Sequence, residues 1–172
     1  MTSPIVHAHR FRPLPPGRAQ VWRRFGSWSE RFFTNVVGIV LEEVRLDYAR
    51  MRLPYRPELR QPAGVVHGGA IATLVDVVVV PAIGSAYEEF HRLLTLDMHV
   101  QYLDPIVEED AVAEGWVEKR GRSIVFCRVE IRGASGRLAT TASLIYKVGK
   151  PAPPPGGPDT PVRTLTQEEG IS

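Results

Sequence analysis

An α+β fold, with one antiparallel sheet wrapped around a single long apolar helix, is what this sequence predicts, on three observations. Six segments read as strands and are parted by Gly, Pro and Asp turns. One run near the middle, Gly68 to Gly84, is apolar on every side and so needs cover all round. The order β-β-α-β-β-β-β leaves that run as the one long helix of the body, and a strongly curved sheet would supply its cover.

The bulk properties agree. The chain has 172 residues, a formal net charge of +2, 44% hydrophobic and 23% charged residues, and one cysteine. That length buries one core without staples. A single Cys forms no internal disulfide and fits a reducing, cytoplasmic compartment. So small a net charge makes no electrostatic case for nucleic acid or an acidic membrane. The start, MTSPIVHAHRFRPLPPGR, lacks an apolar core and is broken by prolines, unlike a secretory signal. The apolar stretch Gly68 to Ala86 approaches membrane length, but Asp76 near its middle argues for a buried helix over a membrane span.

Three regions follow. Residues 1–35 form a basic extension, in which six arginines (Arg10, Arg12, Arg18, Arg23, Arg24, Arg31) face one acid, Glu30. Pro13, Pro15 and Pro16 keep its start extended. From Arg18, the residues Val21, Trp22, Phe25, Trp28 and Phe32 recur at steps of three and four, which predicts an amphipathic helix of about four turns, weakened by Gly26. Its plain role is to dock that stripe on the domain or a neighbouring subunit; its sharper role is a lid or an arm for an anionic ligand. Residues 36–148 form the domain proper. Residues 149–172, in which PAPPPGGPDTP follows Lys150, form a Pro/Gly-rich tail expected to be extended or disordered.

Within the domain, Gly38 to Arg56 reads as two strands ending at Pro57. In the helix that follows, Val77 to Val80 prefer a strand by propensity, yet the length of the apolar run favours a helix, with Pro81 expected to kink it or end its regular part. Leu94, Leu96, Met98, Val100 and Tyr102 alternate with Thr95, Asp97, His99 and Gln101, a half-buried strand stopped at Asp104-Pro105. Asp110–Lys119 follows, with Ala111, Ala113, Gly115 and Val117 on one side. After Gly121, Val125, Cys127, Val129 and Ile131 oppose Phe126, Arg128, Glu130 and Arg132. The Gly133–Gly136 turn leads into Leu138–Val148, where Leu138, Thr140, Ala142, Leu144 and Tyr146 share a side.

Asp76 is the position that demands explanation. It is the one Asp, Glu, Lys or Arg between Arg60 and Glu88, set in an apolar helix. Burial penalises an unpaired carboxylate and raises its pKa. A structural Asp would bond a backbone or hydroxyl partner, with Thr73 one turn back as a candidate. A functional Asp would use its neighbours: His67-Gly68-Gly69 stands at the helix start, where backbone N–H groups lack intrahelical partners and a ligand oxygen can approach. Such donors stabilise the oxyanion of an acyl-transfer intermediate. Gly68 and Asp76 lie eight residues apart, roughly 12 Å along one helix. If both act on one small group they come from different chains, antiparallel across a twofold axis.

Other chemistries find no support. G-x-S-x-G, the P-loop, G-x-G-x-x-G and H-E-x-x-H are all missing from the sequence. Cys127, mid-strand on an apolar face, reads as an inert core thiol. His7 and His9 fall in an end expected to be mobile and read as a chance pair rather than a metal site. His91 has no assignable role, and His99 alternates onto the face of Thr95 and Asp97. No metal or cofactor is expected.

The run Gln61-Pro-Ala-Gly64-Val-Val-His67-Gly68-Gly69-Ala-Ile-Ala-Thr-Leu-Val-Asp76 resembles the signature of hotdog-fold acyl-CoA thioesterases, in particular the phenylacetate-pathway and 4-hydroxybenzoyl-CoA thioesterase group. Thr95 to Pro105 and Gly121-Arg122-Ser123 resemble the same family at matching places. The resemblance spans about Val36 to Val148 and implies a hydrolase that splits an aromatic or medium/long-chain acyl-CoA into carboxylic acid and coenzyme A. It also implies a homo-oligomer, a dimer with joined sheets or a tetramer of such dimers. Carried over by position, Asp76 activates water or attacks the thioester, and Gly68 gives its N–H to the thioester oxygen. His67 shapes that turn, Gln61 positions thioester or water, and Thr95 stands beside the carboxylate. Gly69 belongs to the substrate-binding turn, and Gly121, Arg122 and Ser123 lie along coenzyme A, where Arg122 would pair with phosphate. Val80 replaces a frequent hydroxyl, implying a drier, narrower acyl pocket, and the basic N-terminal helix would cover the acyl end. The alternative is a non-catalytic acyl-CoA-binding or regulatory module of the same fold. A dehydratase or hydratase would need an Asp-x-Asn-Pro-x-His run, which the chain lacks.

Overall fold

The computed structural model of the chain describes residues 6–28 and 31–153. Two short helices, α1 (Pro16–Trp22) and α2 (Phe33–Val37), precede strands β1 (Val40–Arg45) and β2 (Tyr48–Leu53). The long helix α3 (Gly68–Gly84) follows, then β3 (His91–Tyr102), β4 (Ala111–Arg120), β5 (Ile124–Gly133) and β6 (Leu138–Pro151). The six strands form one antiparallel sheet in the order β1-β2-β4-β5-β6-β3, with β1 and β3 at its edges. The predicted α+β architecture and element order are those observed. Among the described residues no helix is long and apolar enough to cross a membrane.

The sheet buries one face against α3. Ala113 on β4, Val125 and Val129 on β5, and Leu144 on β6 meet Leu74, Val75, Val78, Val79 and Ala82 in one core. Side chains of a strand alternate between faces, so these residues sit at every second position. Helix α3 runs through Pro81 to Gly84 rather than ending there. Proline withholds only the bond to the Val77 carbonyl, and two guanidinium groups hold the last turn. Arg120 donates to the Ile83 carbonyl at 3.1 Å and pairs with Asp47; Arg18 donates to the carbonyls of Ser85 and, at 2.6 Å, Tyr87. Cations suit the negative end of a helix dipole and its unpaired carbonyls.

The N-terminal extension departs from the predicted four-turn helix. Helix α1 ends at Trp22, and Gly26 takes a φ of +85°, which breaks the helix. Asn35 Nδ2 donates to the Gly26 carbonyl at 2.7 Å and fixes the bend. The aromatic residues still associate: ring centroids of Phe25 and Trp28 lie 5.1 Å apart, and those of Trp28 and Phe32 5.2 Å apart. Residues 29 and 30 of the predicted helix, and the tail from 154 on, lie outside the described residues.

His7, expected in a mobile end, is docked. The sheet face away from α3 carries Tyr48, Glu114 and Trp116, and residues 6–11 lie across it. Glu114 is 3% exposed and accepts from the Val6 N–H (3.1 Å), the His7 N–H (2.9 Å) and the Tyr48 hydroxyl (2.8 Å). His7 Nε2 lies 2.9 Å from a Glu130 carboxylate oxygen, and Phe11 stacks on Tyr48. Glu114→Ala strands a buried hydroxyl and two amides, at a cost of about 1–3 kcal/mol. The expected reading is a lower urea midpoint, with Glu114→Gln losing less because it keeps an acceptor oxygen.

Candidate active site

A bulge in β3 sets the site. Thr95 pairs with Tyr146 and Asp97 with Ile145, so Leu96 is an extra residue between them. The simple alternation predicted for this strand therefore breaks at Leu96. Thr95 turns to the α3 side together with Met98, Val100 and Tyr102, while Asp97 and His99 lie on the opposite face, across from Ile145 and Ser143. His99 thus does not share the face of Thr95. Bulges re-aim a side chain in this way.

The re-aimed Thr95 reaches Asp76. Its Oγ1 donates to Asp76 Oδ1 at 2.8 Å, and the Tyr146 hydroxyl lies 2.5 Å from the same oxygen. Thr73, the partner considered from sequence, instead donates to the Gly69 carbonyl at 2.8 Å. Asp76 is half-buried, and no ion pair holds it among the described residues, so one oxygen is fixed by two neutral donors. Burial, and next the Asp76 carboxylate, push the Tyr146 phenol far above its usual range, keeping it a protonated donor. Tyr146 was missed by the sequence reading. The available signal was a tyrosine within the inward alternation of β6, since a buried phenol seeks an acceptor.

At the start of α3, His67 is the N-cap in extended conformation (φ −62°, ψ 132°), and its Nδ1 accepts from the Gly69 N–H at 2.8 Å. Ala70 and Ile71 both donate to the His67 carbonyl. The Gly68 N–H is left with no acceptor among the described residues. Of the first four donors of the helix it is therefore the one available to a ligand, whereas the Gly69 N–H is spent on His67. The Tyr102 hydroxyl donates to the Gly68 carbonyl at 2.9 Å and steadies that peptide from β3. Gln61 opens a tight turn, with its carbonyl accepting from Gly64. Gln61, Gly68, Tyr102 and Thr140 line a cavity of about 270 Å³ beside the helix start.

The remaining predicted residues lie elsewhere on the chain. Gly121, Arg122 and Ser123 form the exposed β4–β5 turn, where the Gly121 N–H donates to the Ile124 carbonyl at 2.8 Å. Neighbouring Arg120 meets Ile83, so this turn stands at the C-terminal end of α3. Gly68 and Ile83 are separated by roughly 22 Å of helix. One chain thus groups Asp76, Thr95 and Tyr146 at mid-helix, Gln61, His67 and Gly68 at one end, and Gly121–Ser123 at the other. Cys127 is buried, and burial pushes its thiol up to about 12, as expected for an inert core residue. His91 Nδ1 lies 2.8 Å from the Gly149 carbonyl, a contact between strands.

A carboxylate fixed by two hydroxyls and a free amide at a helix start suit attack on a carbonyl whose oxygen gathers charge. Residues 63–140 match the family model of the thioesterase superfamily. The medium/long-chain acyl-CoA thioesterase YigI of Escherichia coli is 24% identical over 132 residues, covering 68% of this chain and 85% of its own. Among solved structures, the E. coli PaaI protein from the phenylacetic acid degradation operon superposes with a TM-score of 0.69 at 13% identity, covering 78% of this chain and 96% of that one. The thioesterase HI1161 of Haemophilus influenzae superposes with a TM-score of 0.63 at 22% identity, covering 70% and 93%. With its fold and the match over residues 63–140 in agreement, the chain has the hotdog fold and is similar in sequence to the thioesterase superfamily.

Proposed function

We propose that the protein hydrolyses acyl-CoA thioesters, at sites built from two copies of the chain. The observation that carries this reading is the pairing of a hydroxyl-held carboxylate, Asp76, with one unspent helix-start donor, Gly68 N–H. Eight residues, roughly 12 Å of helix, part them within one chain. A second copy running antiparallel would bring its Gly68 to the first copy's Asp76, and its Gly121–Ser123 turn to the first copy's helix start. The edge strand β3 supports such a pairing: it is twelve residues long, and Leu96 and Met98 on it are exposed.

In this site the thioester oxygen accepts from the Gly68 N–H, which polarises the carbonyl. Asp76 takes a proton from water as the water oxygen bonds to the carbonyl carbon, or it attacks that carbon itself and the acyl-enzyme is then hydrolysed. The C–S bond breaks, the sulfur takes the proton held by Asp76 in the first route or one from solvent in the second, and coenzyme A leaves as the thiol with the carboxylic acid as second product. Thr95 and Tyr146 hold the carboxylate, Gln61 positions thioester or water, and His67 shapes the turn. Arg122 would meet a phosphate of coenzyme A. YigI, a medium/long-chain acyl-CoA thioesterase by name, supplies the parallel of a medium or long acyl chain.

Free-thiol release from short, medium, long and aromatic acyl-CoAs tests this reading. Turnover of at least one of them supports hydrolysis; binding of all without thiol release would make the protein a binding module instead. Tyr146→Phe keeps the buried ring and removes one donor from Asp76. A hydrogen bond to a charged group contributes about 1.5–3 kcal/mol to stability, so the melting temperature is expected to fall by a few degrees; turnover, read well below that transition, is expected to fall about tenfold as the carboxylate loses one of its two holds.

A further inference from the structure

One face of α3 is left open by its own sheet, and it runs from the reactive carboxylate to a wall. Steps of four place Asp76, Val80 and Gly84 on this stripe; all three are half-buried, while Val78, Val79 and Ala82 beside them are fully buried. From Asp76 toward the C-terminus the stripe offers no polar side chain. It ends at Gly84, where the N-terminal extension arrives. A Cβ added at Gly84 would lie 2.5 Å from Cη2 and 2.7 Å from Cζ2 of Trp22, so the indole occupies the place of a side chain there. Only glycine at 84 admits it.

The wall is anchored. Arg18, one turn before Trp22, donates to the Ser85 and Tyr87 carbonyls just past the end of α3. Trp22 borders Phe25, with ring centroids 6.4 Å apart, and Phe25 packs against the central core. The basic extension therefore closes one end of an apolar stripe whose other end is the attacking group.

Resting on the hydrolase reading above, we infer that Trp22 is a specificity-determining residue that stops the acyl chain. The acyl chain lies along Val80 with its carbonyl at Asp76 and its tip at the indole. Asp76 and Gly84 are roughly 12 Å apart along the helix, and an extended chain advances about 1.2 Å per bond, so about eight to ten carbons fit before Trp22. Straight chains longer than that, and wide groups that cannot pass Val80, are disfavoured.

The test measures binding and turnover separately. Non-hydrolysable thioether analogues of acyl-CoA with 4 to 16 carbons are titrated by calorimetry into wild type, Trp22→Ala and Trp22→Leu; the true thioesters are assayed in parallel. Wild-type affinity is expected to rise to about eight to ten carbons and then stall or fall. Trp22→Ala is expected to raise affinity for 14 and 16 carbons at least tenfold relative to 8, and Trp22→Leu, which keeps apolar cover over Gly84, to shift it the same way by less. An unchanged length profile in both variants overturns the inference, whether because a second copy fills the stripe or because the chain runs elsewhere. So does failure of every analogue to bind. A shifted binding profile without thiol release leaves the Trp22 stop standing and removes the hydrolase reading alone.

Discussion

Asp76→Asn is expected to lower thiol release from the best acyl-CoA by a hundredfold or more, with fold and assembly unchanged. The amide is the same size as the carboxylate, and its oxygen still accepts from Thr95 and Tyr146, now at 2.8 and 2.5 Å from Oδ1. The geometry therefore survives while the negative charge goes. An amide neither takes a proton from water nor attacks a thioester, and positioned acid–base groups contribute about 10²–10⁴-fold to rate. Comparing kcat of the two proteins, with circular dichroism and sedimentation as controls, reads the effect. Equal rates would take Asp76 out of the chemistry and leave it as the polar plug that a structural aspartate would be.

Gly68→Pro is expected to cost about 10²–10³ in kcat, the range seen when one oxyanion donor is removed. This substitution removes the N–H and puts a ring carbon in its place. Residue 68 is the first of α3, where proline is tolerated because its donor has no intrahelical partner. His67 before it is extended, at φ −62° and ψ 132°, as a residue preceding proline should be. A Cβ at 68 would meet the Tyr102 ring no closer than 3.5 Å, an ordinary contact. Gly68→Ala, which adds the same Cβ and keeps the N–H, is the matched control and should retain most of the rate. A proline variant as active as the alanine one would show that the amide does not touch the reacting oxygen.

The strands and the central helix were legible because burial follows period. Val125 to Ile131 alternate over one buried face, and Gly68 to Gly84 is apolar all round, so composition dictated where each segment would pack. Asp76 and Gly68 were legible for the complementary reason that they break the local pattern: one charge in an apolar helix and two glycines at its start. The partners of Asp76 were harder. Thr73 is near in sequence, but its hydroxyl bonds back to Gly69, a common habit of a helical threonine. The family resemblance places Thr95 beside the carboxylate, but periodicity alone does not: it reaches Asp76 because the bulge at Leu96 turns it inward, and no alternation rule registers one extra residue. The N-terminal extension misled by its spacing. The steps among Trp22, Phe25, Trp28 and Phe32 suit a helix, yet their rings pack around a bend at Gly26, where a glycine can adopt the left-handed conformation. The docking of residues 6–11 depends on Glu114, a charge on the face of β4 away from α3, and no local pattern in the sequence links it to a segment more than a hundred residues away.

The central claim is that each site takes its carboxylate from one chain and its amide from another. Mixing Asp76→Asn with Gly68→Pro tests it most directly. The two inactive variants are co-refolded in equal amounts, and thiol release is followed. In a twofold dimer with shared sites, half of the dimers are hybrids, and each hybrid has one site with both defects and one with neither. Activity is then expected to return to about a quarter of wild type. If instead each site lay within one chain, every site in the mixture would keep a defect. No recovery in a mixture shown to contain hybrids would contradict the account.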